Sequence, residues 1–364
     1  MVYYRKYEWT GEFVIFSDSI SAAFSEISAL FSGMFSYSFE ELICILLLAV
    51  LIDLVLGEPP EKIHPVVWIG KVIQFFKSRI PKNHQKLYGI LLGLSTMIFS
   101  GTVAFVVVWF SHLDFMPFFV SVIIQAWFLK ATFAIKCMVS PAKEMKEKLK
   151  LEDLDVVRDE LKTYVGRDTS HLTKSQIMSA ILESVSENFV DAILSPLLFF
   201  TFFGPFGLVA AYVFKATSTL DSMVGYKTEK YIHVGWFSAR FDDVLNWIPA
   251  RLSPLFIAAG SVLSNFAVGQ DMEKMYAKDG FSLAVSDHKV TPSPNSGWPM
   301  SAASGSLHVR FEKPNMYVIG KQYREPVIRD IDRASVLILV TSLFSGVVCC
   351  VIIYMIYLLY GLLL

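Results

Sequence analysis

Apolar positions along the chain gather into runs of bilayer-crossing length, and the stretches between them carry charges at helical spacing, a pattern that predicts a helical membrane protein. The first run, 42–56, is broken by Asp53 and closes at Gly57-Glu58-Pro59-Pro60; it reaches span length when its helix begins ahead of Glu40. Residues 88–110 form a clean second span, 111–117 a short turn, and 118–139 a third span whose Lys130 and Lys136 are placed to snorkel at its end. The final span, 336–364, is long enough to tilt. Ahead of the first run, residues 1–39 mix Phe, Ser and scattered acids, and 14–34 read as an amphipathic helix lying at the membrane interface.

Two further runs are less regular. Pro196 and the Gly204-Pro205-Phe206-Gly207 break divide 189–214 into halves of about ten residues, which predicts a re-entrant hairpin, and 252–268, marked by Pro249, Arg251 and Pro254, reads as another half-inserted segment. Such broken helices are tolerated at membrane depth when protein buries them. The loop 57–86 carries six Lys or Arg residues against Glu58 and Glu61, so the positive-inside rule assigns it to the cytoplasm and both chain ends to the outside. Residues 140–174 have the charge of cytoplasmic helices, with Pro141 at a helix start and Leu149, Leu151, Leu154, Val157 and Leu161 as the buried face. The expected architecture is an all-α integral membrane protein of the cell membrane. It has four full spans in a helical bundle, broken or re-entrant segments and a cytoplasmic helical region. Residues 1–39 form an N-terminal interfacial segment, and 40–364 a single multi-pass membrane domain whose active region, 140–335, faces the cytoplasm.

Composition agrees: 54% of the residues are hydrophobic and only 18% charged, well to the apolar side of a soluble protein. The net charge of -1 comes without a basic block, so the lipid bilayer is an expected partner and nucleic acid is not. Cys44, Cys137, Cys349 and Cys350 sit inside apolar runs, without zinc-site or disulfide-framework spacing, and read as packing residues. The opening residues mix Arg5 and Lys6 with Glu8, Glu12 and Asp18, unlike a secretory signal.

The chemistry concentrates between 183 and 251. On a helix, Glu183, Glu187 and Asp191 fall at i, i+4 and i+8 and line one face, drifting by roughly 40° per step. Like charges at that spacing repel, and the helix runs straight into apolar sequence, so a cation is expected to relieve them. Asp221 lies in STLDSMVGYK, where Gly225 permits a tight turn and Lys227 offers a point charge for phosphate. Asp242, Asp243 and Asn246 have the spacing of oxygen ligands on one helical turn, suited to Mg²⁺; the same acids also fit a helix N-terminus. Arg240 and Arg251 supply further cations. In Ser293-Pro294-Asn295-Ser296-Gly297, small polar residues and turn formers can aim N–H and hydroxyl groups at an anion, with Ser293 and Asn295 as candidates, or simply make a surface turn. His64, before Pro65, reads as a capping residue or a site imidazole. The sequence contains no GxxxxGK[ST], HExxH or CxxC, so any ATP is held by a non-standard site.

Five blocks, GEPPEKIHPVVWIG, RDTSHL, ESVSENFVDAILSPLLF, STLDSMVGYKTEKYIHVGWFSARFDDVLNWIPARL and SPNSGWPMSAASGSL, closely resemble the CobD/CbiB membrane family of cobalamin biosynthesis over residues 51–323. One departure is Ser218, which stands where the family usually has Asn. The resemblance implies an ATP-dependent amide ligase, the adenosylcobinamide-phosphate synthase. That enzyme joins aminopropanol phosphate to the propionate carboxylate of adenosylcobyric acid, with ATP and Mg²⁺ required, the corrinoid as substrate, and scope for association with other corrinoid-pathway membrane enzymes. Under it, Glu183, Glu187, Asp191 and Asp221 are candidate catalytic residues, Lys227, Arg240, Arg251, Ser293 and Asn295 bind substrate or phosphate, and Asp242, Asp243 and Asn246 hold metal. Which carboxylate is base and which is ligand stays open, as does phosphoryl against adenylyl activation. Trp236, Trp247 and Trp298 are candidate walls for the corrin ring. A corrinoid transporter, or a membrane scaffold for other corrinoid enzymes, is the rival reading. Transporter charges would fall mid-span, whereas here they cluster at span ends.

Overall fold

The computed structural model describes residues 38–151, 153–226, 228–267 and 272–363. Its helices, in chain order, are α1 (Phe39–Leu56), α2 (Pro65–Lys77), α3 (Gln85–Ser111), α4 (Phe118–Lys130), α5 (Ile135–Lys150), α6 (Leu154–Leu161), α7 (Lys174–Phe189), α8 (Ser195–Phe202), α9 (Gly207–Val224), α10 (Trp236–Leu245), α11 (Trp247–Ala267), α12 (Ala277–Asp287), α13 (Gly297–Leu307) and α14 (Ile328–Leu363). One short antiparallel hairpin, β1 (Phe311–Lys313) with β2 (Tyr317–Ile319), interrupts the otherwise all-α bundle. The interfacial helix expected at 14–34 and Lys227 lie outside the described residues.

Among the described residues four helical stretches are long and apolar enough to cross a bilayer: Gln85–Ser111, Phe118–Lys150, Lys174–Phe202 and Ile328–Leu359. The protein is a multi-pass membrane protein. The number matches the sequence expectation, but the membership differs. The first run does form a helix from Phe39, with the Ser38 hydroxyl capping it at the Glu41 N–H; its three acids, Glu40, Glu41 and Asp53, keep it off that set. The buried Glu41 accepts hydrogen bonds from Ser121 and Gln125 of α4 at 3.1 and 3.3 Å.

Pro196 does not divide the third stretch as expected. A π-helical turn, Val190–Leu194, precedes it, so the helix continues from α7 into α8 and ends only at Gly204, where φ is +51°. Proline lacks the N–H that would bond four residues back; the Ala192 carbonyl left over accepts the Ala134 N–H at 3.0 Å, which ties the start of α5 to the bulge. The hairpin is therefore real, with α9 returning against α8, but its descending arm is a full helix. The same accounting explains α11, which is continuous over 21 residues and not a short half-inserted segment. Pro254 frees the Ala250 carbonyl, and the Ser253 hydroxyl takes it at 2.7 Å. Pro141 lies inside α5 and does not begin a helix. Of the expected face on 140–174, Leu149, Val157 and Leu161 are buried, while Leu151 is exposed.

Lys130 does not snorkel. Its side chain is completely buried, with Nζ 2.8 Å from Glu58 and 3.4 Å from Asp53. Asp53 also accepts the Lys136 N–H at 2.9 Å, and Glu58 meets the His64 ring at 2.8 Å. His64 caps α2 by accepting the Val66 N–H, so of its two sequence readings the capping role is the one seen.

Candidate active site

The π-bulge, the end of α9, the first turns of α10 and the loop before α13 meet around a cavity of about 600 Å³. Bulges of this kind re-aim side chains, and they often occur at functional sites. Glu187 and Asp191 enter from α7 and the bulge, Asp221 from α9, Arg240, Asp242, Asp243 and Asn246 from α10 and its cap, and Ser293 and Asn295 from the loop. Nine of the candidate residues predicted from sequence thus share one wall, although they lie up to 108 positions apart (Glu187 to Asn295).

Gly225 allows this approach, though not through an unusual backbone. Its φ of −71° suits any residue, but a β-carbon there would lie 1.9 Å from the Asp221 carboxylate oxygen, so only glycine leaves that side chain its place. Asp242 is fixed from one side. Asn246 donates to its Oδ2 at 3.0 Å and is itself held by the Ser195 hydroxyl at 2.7 Å. With both ends of its amide hydrogen-bonded, Asn246 orients Asp242 as well as lining the cavity. The other Asp242 oxygen is buried without a hydrogen-bond partner among the described residues. Burial, followed by the nearby Asp221 and Asp243 charges, pushes this carboxyl up to about 7.

Two described candidates, Glu183 and Arg251, do not line this cavity. Glu183 is buried beside the site, not in it: Arg167 pairs with it at 2.7 Å, and Ser179 and the Tyr317 hydroxyl donate to it at 2.9 and 2.7 Å. That carboxylate is saturated, and it anchors the β hairpin to α7. Arg251 lies over the Trp247 ring, 4.1 Å from its centroid, and reaches the Asn295 side chain at 3.4 Å, so it supports the loop from behind. Lys227 is outside the described residues. The loop is also braced internally, since Ser293 Oγ accepts the N–H groups of Asn295 and Ser296, and Asn295 donates to the Asp243 carbonyl at 2.8 Å. Trp236 lines the cavity; Trp298 stacks on His288 and Trp247 carries Arg251.

Among the described residues no three His, Cys, Asp or Glu side chains are grouped to enclose a metal ion. The donor set is nonetheless the one Mg²⁺ prefers, all hard oxygen, and Mg²⁺ on a nucleotide usually takes only one or two carboxylates, with waters and phosphates completing its shell. The buried Asp242 oxygen without a partner marks where positive charge is missing. The site residues therefore fit such an ion.

Sequence reasoning missed Arg167 and Lys313, which line a smaller cavity of about 350 Å³ across the Glu187 and Ser293 wall. Arg167 belongs to the RDTSHL block, the available signal; Lys313 carried none.

No solved structure matches this chain. A family described as CobD/Cbib protein matches residues 46–358. Relatives include the probable cobalamin biosynthesis protein CobD of Methanothrix thermoacetophila, 40% identical over 81% of this chain and 91% of that one. The cobalamin biosynthesis protein CobD of Dehalococcoides mccartyi is 38% identical over 82% and 93%, and that of Synechocystis sp. 39% identical over 73% and 76%. With the matched region taking in every helix that builds the cavity, the chain belongs to the CobD/CbiB family.

Proposed function

We propose that this protein acts in cobalamin biosynthesis as an ATP-dependent amide ligase, joining aminopropanol phosphate to the propionate carboxylate of adenosylcobyric acid. The observation that carries this reading is the convergence of Glu187, Asp191, Asp221, Asp242 and Asp243 on one cavity with a single arginine, Arg240, among its lining residues. A carboxylate has no leaving group, so ATP must convert it to a phosphoryl or adenylyl ester. The amine then forms the C–N bond as phosphate or AMP departs, and the surplus amine proton needs a base. Asp242 and its acidic neighbours would hold Mg²⁺ with the nucleotide, and the ion would supply charge neutralisation at the phosphates.

The chain's own groups divide the remaining tasks. Asp221 and Asp242, half-buried at the ends of α9 and α10, would hold the cationic end of the nucleotide complex. Arg240, whose side chain is 71% exposed, stands at the mouth, where it can meet incoming phosphate and relax its loose 3.9 Å contact with Asp243. Glu187 and Asp191 reach the cavity from α7 and the bulge, suited to attract an ammonium group and accept its proton. The corrin ring is far larger than the cavity, so only its propionate arm enters, with Trp236 at the rim. The positive-inside rule assigns this face to the cytoplasm, where ATP is found.

The test is reconstitution. Purified protein in detergent or lipid, given adenosylcobyric acid, aminopropanol phosphate, ATP and Mg²⁺, should yield an amide-linked corrinoid with one nucleotide cleaved per amide. The appearance of ADP or of AMP identifies the activated intermediate. Corrinoid movement across vesicles without amide formation would refute the ligase reading in favour of transport.

A further inference from the structure

The acidic cavity poses a difficulty for a phosphorylated amine. Its five carboxylates face one mobile arginine, so a second phosphate, beyond those of the nucleotide, would meet repulsion there. The adjoining chamber has the opposite character. Arg167 and Lys313 line it, with Asn188 and the hydroxyls of Thr291 and Ser296, and Glu187 is the only acid among its lining residues.

The chamber is held firmly. β1 is docked on α7 by the Glu312 N–H donating to Ser179 Oγ at 2.6 Å, and the strand register sets Lys313 opposite Tyr317. Tyr317 is bonded in turn to Glu183, which also orients Arg167. Arg167 is paired with Glu183, whereas the half-buried Lys313 ammonium has no hydrogen bond or ion pair among the described residues and feels only the charge of nearby Glu187. A lysine that pays partial desolvation without a partner is suited to an anion not yet present.

We propose that this chamber binds the phosphate monoester end of the amine substrate through Lys313 and Arg167, while its ammonium end crosses the shared wall to Glu187. The inference rests on the ligase reading for the identity of the amine. Glu187, Pro292, Ser293 and Ser296 line both cavities, so a short molecule seated there has its phosphate on the basic side and its nitrogen on the acidic side. Opposite charges at the two ends also give the binding a direction, and amines without the phosphate lose half of the recognition.

The experiment uses full-length protein in detergent with Lys313→Gln, which removes the charge while leaving the backbone pairing of Lys313 in the hairpin intact. The KM for aminopropanol phosphate should rise about tenfold or more, the cost of one charge-assisted hydrogen bond, with a far smaller change in KM for ATP. Discrimination against unphosphorylated aminopropanol should shrink. A rise in KM for ATP instead, or no change in either, overturns the assignment. Independently, inorganic phosphate should raise the melting temperature of the unaltered protein and of Arg240→Ala, but not of Lys313→Gln; equal protection of all three also overturns it. A protein that shows this phosphate effect yet forms no amide would refute the ligase reading and leave the anion chamber standing.

Discussion

Two groups of acids, one around Lys130 and one around the cavity, are built on opposite plans. Around Lys130, Asp53 and Glu58 face a fully buried ammonium, His64 and the Lys136 backbone, so negative charge is matched within the protein. Around the cavity, Glu187, Asp191, Asp221, Asp242 and Asp243 outnumber their cations; Asp53 Oδ1 and Lys130 Nζ lack a hydrogen bond but still pair at 3.4 Å, whereas one Asp242 oxygen has neither a hydrogen bond nor an ion pair among the described residues. The first group is explained by the fold alone, since burying an ion pair is tolerable only when it is completed. The second is costly to the fold, and such cost is expected where a ligand completes the site.

The contrast is most open to attack at Lys130. Lys130→Met leaves the buried Asp53 without its cation and beside the partly exposed Glu58, which should cost about 3–5 kcal/mol and show as a large fall in melting temperature in detergent, with yield falling too. A mild effect would mean the acids there are not held as charges. Next in size is Gly225→Ala. The new methyl must displace the Asp221 carboxylate and press on the Asp221 carbonyl, so amide formation should fall by roughly tenfold or more, with a stability loss of about 1–3 kcal/mol; retained activity would remove Asp221 from the site.

A pH series sharpens the same comparison. Asp242 is raised to about 7 in the folded protein, above its value of 3.8 when free, so folding favours its protonated form. The stability penalty is absent below about pH 4, grows as pH rises, and is complete above about 7. With a chelator present, melting temperature should therefore decline between pH 5 and 8 more steeply in the unaltered protein than in Asp242→Asn, and Mg²⁺ should flatten the slope. Identical slopes would show that Asp242 carries no uncompensated charge. The smallest effect is expected from Arg240→Ala: at the cavity mouth it should raise KM for ATP by roughly three- to tenfold and leave stability unchanged.

Much of this arrangement was legible in the chain itself, because charge inside apolar sequence is costly and therefore conspicuous. Glu187, Asp191, Asp221, Asp242 and Asp243 were all visible for that reason, and the hairpin was visible in Gly204-Pro205. What stayed hidden depended on partners distant in sequence. Glu183 shares a helical face with Glu187, yet Arg167 and Tyr317, 16 and 134 residues away, hold it apart from the cavity. The prolines misled for a local reason, since Ala134 and Ser253 satisfy the carbonyls that Pro196 and Pro254 leave free. Lys130 looked like a residue at a helix end, and nothing in the periodicity announced that Glu58 would fold back over it.

The most direct measurement reads both properties of one variant together: melting temperature and amide formation for Asp242→Asn. The mutation removes an uncompensated negative charge while keeping a side chain that Asn246 can still bond. The account predicts a melting temperature equal to or above that of the unaltered protein near neutral pH, with amide formation down about a hundredfold. A protein that melts much earlier while retaining its turnover would contradict it.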